Sequence, residues 1–219
     1  MEERKESKLY RALENLGNIF WLNILFILFS IPVVTAGAAV TALYDVMLRI
    51  VRKEENAITQ SFVKAFKENF KQATILWGLV LLAGVVLYGE LVYITNFTGA
   101  IVNFYMIVFA MEGVLVALTL PFLFPLVARY KNSVWNTLKN ALLLSISNLG
   151  AWVKILLAWV APVLISLFYP VVLFSTWYLW LVIGFGLIAF GTSFTVNRVF
   201  KKVSEAQEEQ ERKKAQERV

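Results

Sequence analysis

Three carboxylates interrupt the apolar stretches of this sequence, and they are its main candidates for chemistry. Asp45, Glu90 and Glu112 lie inside long hydrophobic runs, whereas the remaining acidic residues lie in charged segments. An ionisable side chain in mid-bilayer costs about 2.5–3.5 kcal/mol on insertion scales, so such residues commonly mark pathways for solutes or protons. The three residues therefore form a candidate intramembrane polar site.

Glu112 is the strongest of the three because of its depth. It lies about 11 residues into its apolar run, which is roughly 17 Å at 1.5 Å per residue. No Lys or Arg lies at a comparable depth in the sequence. We expect Glu112 to face the interior of a helix bundle, where it accepts hydrogen bonds or is protonated. A role in a solute or proton pathway and a structural hydrogen bond both fit this placement.

Asp45 and Glu90 have simpler alternative explanations. Asp45 precedes Arg49 by one helical turn, so an i,i+4 ion pair near the membrane surface would explain it. Glu90 lies near the outer end of its apolar run, where water can reach it. Both therefore remain candidates with a structural alternative.

Other kinds of site are disfavoured by residue usage. The chain contains no His and no Cys, so disulfides, thiol nucleophiles, imidazole catalysis and Cys/His metal sites are excluded. Phosphate-binding loops, nucleophile elbows and zinc-protease motifs do not occur in the sequence. We predict no metal, no cofactor and no enzymatic activity, with intramembrane carboxylate catalysis as the enzymatic alternative.

Composition indicates a membrane protein. The 219 residues are 59% hydrophobic and 16% charged, and the mean hydropathy is +0.67. Soluble domains are about 45–50% apolar and about 25% charged. Several runs reach the about 18 apolar residues typical of a membrane span. We predict an all-α, polytopic transmembrane helix bundle over residues 1–199, followed by a charged cytoplasmic helix or tail over 200–219.

The distribution of basic residues predicts the topology. All 21 Lys and Arg residues fall in the segments 1–16, 49–71, 129–154 and 198–219, and none in the connections 95–100 and 168–178. Short loops rich in Lys and Arg stay in the cytoplasm. We predict six crossings with both termini cytoplasmic. The basic segments alternate with spans, which argues against a nucleic-acid interface.

The first apolar block, residues 17–50, has two possible arrangements. Two crossings that turn at Pro32–Gly37 put both flanking basic segments on one side, whereas a single crossing puts them on opposite sides. A cleaved signal peptide is a third interpretation. In the two-crossing arrangement, Gly37 and the alanines beside it allow two helix backbones to approach closely.

Amphipathic segments precede the predicted spans at residues 1–16, 57–71 and 133–146. They suggest three helical hairpins with amphipathic cytoplasmic connecting helices, in which Leu13, Phe66 and Leu138 are equivalent positions. The second segment has an apolar stripe and an opposite basic face, as in helices that lie in the membrane plane. A cytoplasmic helix packed on the bundle is the alternative, and the two interpretations are compatible with each other. Six basic residues are predicted to contact the lipid surface: Arg49, Arg52, Lys53, Lys64, Lys67 and Lys71.

Three further features concern the later spans. Pro121 and Pro125 are expected to bend or break their helix. Gly184 and Gly191, seven residues apart, are predicted to lie on one helix-packing face. Trp152 and Trp159 are interpreted as lipid-facing anchors, with a sugar-stacking site as the alternative.

Two motifs resemble a known family. The run PVVTAGAA at residues 32–39, followed by TALY at 41–44, and the run FVKAFKENFKQA at 62–73 are similar to signatures of YesL-like bacterial membrane proteins. The resemblance implies a multi-pass protein of the bacterial plasma membrane, often associated with carbohydrate-utilisation systems. The family is a domain of unknown function, so it supplies no catalytic or binding residues.

Two functions are compatible with these observations. The first is an accessory or assembly component of a carbohydrate-uptake system, whose partners would be the lipid bilayer and permease subunits of the transporter. The alternative is a small secondary transporter or channel that uses Glu112 and Glu90 in a solute or proton pathway.

Overall fold

The chain folds into consecutive helices. In the computed structural model, which describes residues 2–54 and 57–216, they are α1 (Glu2–Ser30), α2 (Ala36–Arg52), α3 (Ile58–Asn96), α4 (Ala100–Arg129), α5 (Val134–Ser147), α6 (Leu149–Phe168), α7 (Pro170–Leu179) and α8 (Phe185–Gln216). A 3-10 turn at Val33–Thr35 links α1 to α2, and a π-helical turn at Trp180–Gly184 links α7 to α8. The side chain of Leu9, in the first amphipathic segment, lies outside the described part.

The described residues include six stretches long and apolar enough to cross a membrane. They are residues 13–30, 33–52, 58–96, 101–129, 149–168 and 174–216. The predicted all-α transmembrane helix bundle is therefore confirmed. The first apolar block forms two helices joined by a short turn, as the two-crossing arrangement requires.

Helix α2 lies at the centre of the bundle, where it packs against α1, α3, α4 and α8. Its buried face includes Ala38, Ala42 and Val46, which recur at the i,i+4 spacing of one helix face. Most of the other helices bury one such face and leave the rest exposed. An apolar exterior is expected of a protein whose solvent is lipid.

The turn between α1 and α2 is fixed by hydrogen bonds. The Thr35 hydroxyl donates to the carbonyl of Phe29 at 2.6 Å and to that of Pro32 at 2.8 Å. The indole N–H of Trp77 in α3 donates to the carbonyl of Val33 at 2.7 Å. These bonds satisfy carbonyls that the end of α1 and the turn leave without helical partners, and they attach the turn to α3.

The predicted in-plane helix at 57–71 is not a separate element. Its residues form the first turns of α3, which runs unbroken through the span and contains no proline. Phe62 is buried and Phe66 packs against both core clusters. The segment is therefore part of a long helix packed on the bundle, as in the alternative interpretation.

The equivalence of the three amphipathic segments is also wrong. Leu13 is 59% exposed, whereas Phe66 and Leu138 pack against the core. In α5 the buried face consists of Thr137, Ala141 and Ser145. The fully buried residues of this helix are therefore small ones, whereas the large apolar Leu138 is only partly buried against the core.

Helix α4 continues through both of its prolines, so of the expected bend or break, the break does not occur. Pro121 cannot donate to the carbonyl of Ala117, one turn earlier. The indole N–H of Trp152 in α6 donates to that carbonyl at 2.8 Å, and the Ser145 hydroxyl donates to the neighbouring carbonyl of Leu118. Donors from other helices thus replace a bond that the proline removes.

The connection expected at 168–178 is helical. Only Tyr169 separates α6 from α7, which begins at Pro170. Proline is well suited to this first helical position because its missing N–H has no helical partner there. At the other end, α8 continues without interruption into the charged tail as far as Gln216. Residues 217–219 of the predicted tail lie outside the described part.

Asn23 stabilises the π-helical turn between α7 and α8. Its side-chain amide is fully buried and donates to the carbonyls of Trp180 at 3.2 Å and Leu181 at 2.8 Å. Its side-chain oxygen accepts from the backbone N–H of Gly186 at 2.9 Å. A π turn shifts the helical bonding pattern and leaves backbone groups unpaired. One asparagine of α1 therefore pairs three backbone groups of the opposite helix.

Candidate functional site

The candidate site is a pocket where α2 and α4 end beside α3. It has a volume of about 240 Å³, which is below the roughly 300–1,000 Å³ of sites for drug-sized ligands. Seven charged residues line it: Asp45, Arg49, Arg52, Glu54, Glu68, Arg129 and Lys131. We call this the basic pocket, because its four cationic side chains outnumber its three carboxylates.

The end of α2 determines the shape of the pocket. Lys53 adopts a left-handed conformation with φ of 62°, and its N–H bonds to the carbonyls of Arg49 and Ile50. The N–H of Glu54 also bonds to the carbonyl of Arg49, at 2.9 Å. This left-handed cap ends the helix and turns the chain so that the Glu54 side chain faces that of Arg52.

Two ion pairs organise the pocket. Arg49 Nε donates to Asp45 Oδ2 at 2.8 Å, and the Asp45 side chain is only 13% exposed. This is the i,i+4 pair that the sequence offered as the structural explanation of Asp45. Arg52 Nε donates to Glu54 Oε2 at 2.7 Å. Each arginine is thereby held through its Nε atom.

Arg52 has a buried donor without a partner. Its side chain is 18% exposed, and among the described residues no acceptor bonds to its buried Nη1 atom. Buried polar atoms nearly always have a partner, and an unpaired charged donor costs more than a neutral one. The structure therefore leaves one buried guanidinium donor of Arg52, a residue that lines the basic pocket, without an acceptor among the described residues.

The other predicted lipid contacts lie on the surface around the pocket. Lys53 is exposed at the end of α2, and Lys64, Lys67 and Lys71 are exposed along α3. Of the six basic residues predicted to contact lipid, the structure brings only Arg49 and Arg52 into the pocket. The i,i+4 spacing from Asp45 distinguished Arg49 in the sequence, whereas no sequence signal separated Arg52 from the lysines.

Glu90 and Glu112 lie in a different part of the molecule, which we call the arm (residues 84–114). The arm consists of the last third of α3, the first half of α4 and the turn between them. The rings of Tyr93 and Tyr105 are 4.6 Å apart across the two helices. Glu90 is one turn from Tyr93, and Glu112 is two turns from Tyr105, so both carboxylates lie on the facing sides of the pair.

Helix geometry places the two glutamates close to one another in depth. Counted from the Tyr93–Tyr105 contact at 1.5 Å per residue, Glu90 lies roughly 4.5 Å and Glu112 roughly 10.5 Å along the pair. Both side chains are partly buried.

Among the described residues, no hydrogen-bond partner reaches the buried Oε2 atom of Glu90. Neither carboxylate takes part in the ion pairs of the described chain. Asp45 is not near them, since it belongs to the basic pocket.

Gly37 and Gly184 differ in their contacts. A Cβ atom at Gly37 would lie 2.8 Å from the carbonyl oxygen of Ala73, so α2 and α3 approach closely there. At Gly184 a Cβ would meet Trp180 and Leu179 of the same helical stretch. Gly184 therefore accommodates its own π-helical turn rather than a neighbouring helix.

The helix-packing role predicted for Gly191 is wrong. A Cβ there would meet no atom within 4 Å, whereas a Cβ at Gly186 would lie 2.8 Å from the carbonyl oxygen of Ile19. The inward face of α8 contains Gly186, Ala189 and Ser193, which recur at helical spacing. The seven-residue spacing places Gly184 and Gly191 on one face, but α8 packs against α1 through a different face, the one that contains Gly186.

Sequence reasoning missed a buried polar cluster at mid-height of α2. Trp159 Nε1 donates to the Tyr44 hydroxyl at 2.8 Å, which lies 3.1 Å from the Thr192 hydroxyl. The indoles of Trp152 and Trp159 thus bond inside the bundle, and the lipid-anchor interpretation is wrong for both.

Asn23 was missed as well. Its position in an apolar run was the available signal, by the same reasoning that selected the glutamates.

Comparison with known proteins supports the family resemblance. Residues 19–91 match the model of DUF624, a protein family of unknown function. The match covers the last 12 residues of α1, all of α2 and most of α3, and it includes both motifs that suggested the resemblance. No curated protein and no solved structure matches the chain. Asn23, Gly37 and Arg52 lie within the matched stretch, whereas Glu112 and Arg129 lie outside it.

Proposed function

We propose that this protein is an accessory or assembly component of a bacterial carbohydrate-uptake system, located in the plasma membrane. The family resemblance supports the link to carbohydrate utilisation. The observation that carries the proposal is the exposure of the arm. Of its described residues only Val102 is buried, and none belongs to the two core clusters. Such a helix pair offers a long apolar surface to another membrane protein.

The surface of the arm suits helix packing. Val85, Met111 and Val114 are each more than half exposed, and a Cβ at Gly84 or Gly113 would meet no atom within 4 Å. Small residues beside large apolar ones allow transmembrane helices to approach each other. A permease subunit of the transporter is the proposed partner, and the proposal gives this chain no catalytic step.

Site-specific cross-linking in the native membrane tests the partner. The chain has no cysteine, so Val85→Cys and Met111→Cys each introduce a single reactive position on the arm. Leu157→Cys and Leu164→Cys on α6 are matched controls, since these side chains are 56% and 45% exposed. We expect the arm positions, and not the α6 positions, to cross-link to a permease subunit identified by mass spectrometry. Equal yields at all four positions, or no permease product, would contradict the proposal.

The proposed topology places both termini and the basic pocket in the cytoplasm. It is supported by the accumulation of basic residues on segments that alternate with the spans. Thr98→Cys in the arm turn should react with an impermeant maleimide added to intact cells, and Gln60→Cys at the start of α3 should react only after permeabilisation. Labelling of position 60 from outside would rule out the two-crossing arrangement of α1 and α2.

A secondary transporter or channel is the second candidate, favoured by the unpartnered Glu90 Oε2 atom beside the partly buried Glu112. Carboxylates inside membrane segments are common in proton relays. Solute or proton flux into liposomes that contain only this chain would support it, provided that Glu90→Gln and Glu112→Gln abolish the flux. Glu205→Gln is the control, because Glu205 lies on the exposed part of α8. Flux that survives both arm substitutions would exclude this pathway.

A further inference from the structure

We propose that the basic pocket binds a phosphate group, with Arg52 as its principal donor. This inference does not depend on the accessory role. Four cationic side chains line the pocket, and three of them are arginines. The planar guanidinium fork matches the oxygens of phosphate, and bonds between charged partners are about twice as strong as neutral ones.

The arrangement of Arg52 is what distinguishes this pocket from a diffuse basic surface. The bond from its Nε atom to Glu54 holds the guanidinium plane in place at 2.7 Å, while its buried Nη1 atom has no acceptor among the described residues. A guanidinium that is already positioned loses little conformational freedom when it binds an anion. The free donor therefore points to an acceptor that is not a residue of the described chain.

The charges around Arg52 favour an anion over a cation. Asp45 and Glu54 are both engaged by arginines, so their charge is compensated within the pocket. Arg129 and Lys131 also line the pocket, and neither takes part in the ion pairs of the described chain. Glu68 is exposed at the rim. The surplus positive charge of the pocket thus comes from Arg129 and Lys131, at the end of α4 and shortly after it.

The size and place of the pocket suit a phosphate on a small group. Its volume of about 240 Å³ accommodates a headgroup or a small phosphorylated molecule rather than a larger ligand. It opens where α2 and α4 end, at the proposed cytoplasmic boundary of the membrane. The phosphate could therefore belong to an anionic lipid headgroup or to a soluble phosphorylated compound, and one experiment separates these sources.

The test uses the full chain in maltoside micelles, which contain no phosphate. In one arm of the experiment, phosphatidylglycerol is added, and native mass spectrometry measures bound lipid. In the other, inorganic phosphate or glycerol phosphate is titrated, and calorimetry measures binding. Binding of the lipid only identifies a headgroup site, and binding of the soluble compounds identifies a site for phosphorylated solutes. Absence of both would overturn the proposal.

Variants distinguish the pocket from general surface attraction. Arg52→Gln should weaken phosphate binding at least tenfold, because it removes a charge-assisted bond in a partly buried place. Lys71→Gln removes the same charge from an exposed position outside the pocket, so it should weaken binding by about fivefold at most. Equal effects of the two substitutions would overturn the proposal.

Two further variants show whether a loss of phosphate binding is caused by misfolding. Arg52→Lys retains the charge but not the fork, and we expect it to recover only part of the affinity. Arg129→Gln changes an exposed lining residue, so it should weaken binding without altering the melting temperature of the unliganded protein. If Arg129→Gln binds phosphate as the parent chain does, the assignment of Arg129 to this site is wrong.

Discussion

Helix α2 and the arm are both strongly apolar, yet α2 is largely buried among its neighbours and the arm is largely exposed. Ten of the seventeen residues of α2 are buried, and the helix is fixed by the Gly37 contact and the Tyr44 hydrogen bonds. In the arm, only Val102 is buried among the described residues. The ring contacts of the arm residues, such as those of Tyr93, remain within the α3–α4 hairpin.

This contrast shows that hydrophobicity alone does not pack a membrane protein. Lipid tails are as apolar as leucine, so helices associate through close packing and interhelical hydrogen bonds. α2 has both kinds of interaction. The arm has few of either, and its surface is covered by lipid or by a partner. Substitutions of the same type in the two regions should therefore differ in their effects on stability.

The largest expected difference is between two asparagines. Asn23→Leu leaves two carbonyls and one N–H of the π-helical turn unpaired. Because each buried unpaired group costs about 1–3 kcal/mol, we expect a loss of more than about 3 kcal/mol in the free energy of unfolding. Asn96→Leu, at the end of α3 in the arm, removes only exposed local bonds and should have little effect. Denaturant unfolding in micelles, followed by circular dichroism, measures both.

The next largest difference in stability is expected between two glycine substitutions. Gly37→Leu forces a side chain against the backbone of α3, and overpacking of this kind costs about 1–3 kcal/mol. Gly84→Leu makes the same change in the arm, where a Cβ meets no atom within 4 Å, so its stability should be unchanged. If the two variants unfold at the same denaturant concentration, the close α2–α3 contact is not present in the membrane protein.

A smaller effect is expected where Trp152 replaces the hydrogen bond that Pro121 removes from α4. Trp152→Phe keeps the ring but removes the donor to the Ala117 carbonyl. One unpaired carbonyl predicts a loss of about 1 kcal/mol. Trp135→Phe is the control, since Trp135 is 73% exposed. A neutral result for Trp152→Phe would mean that another donor reaches this carbonyl when the indole is absent.

The smallest difference is expected for two tyrosines. Tyr44→Phe removes the hydroxyl that Trp159 and Thr192 contact, and interhelical hydrogen bonds in membrane proteins average about 0.6 kcal/mol. Tyr88→Phe in the arm affects a side chain that is 69% exposed and should be neutral. Thermal unfolding in micelles measures the pair. A Tyr44→Phe variant as stable as the parent would show that the buried hydroxyl adds no net stability.

The sequence alone determined the class of this protein and the approximate places of its helices. Apolar runs, basic segments and family motifs each involve residues that are close together in the sequence. They can therefore be recognised without knowing which helices contact each other. The ion pair of Asp45 with Arg49 was also accessible, since it lies within one helical turn.

Only the tertiary structure decided which residues meet across helices. The pairing of Asn23 with the π-helical turn joins residues more than 150 positions apart. The preference for Gly186 over Gly191 depends on the rotation of α8 against α1. The basic pocket depends on where α4 ends relative to α2, which brings Arg129 and Arg52 to the same pocket. Helical periodicity gives a residue its face, but the partner of that face is set by packing between distant segments.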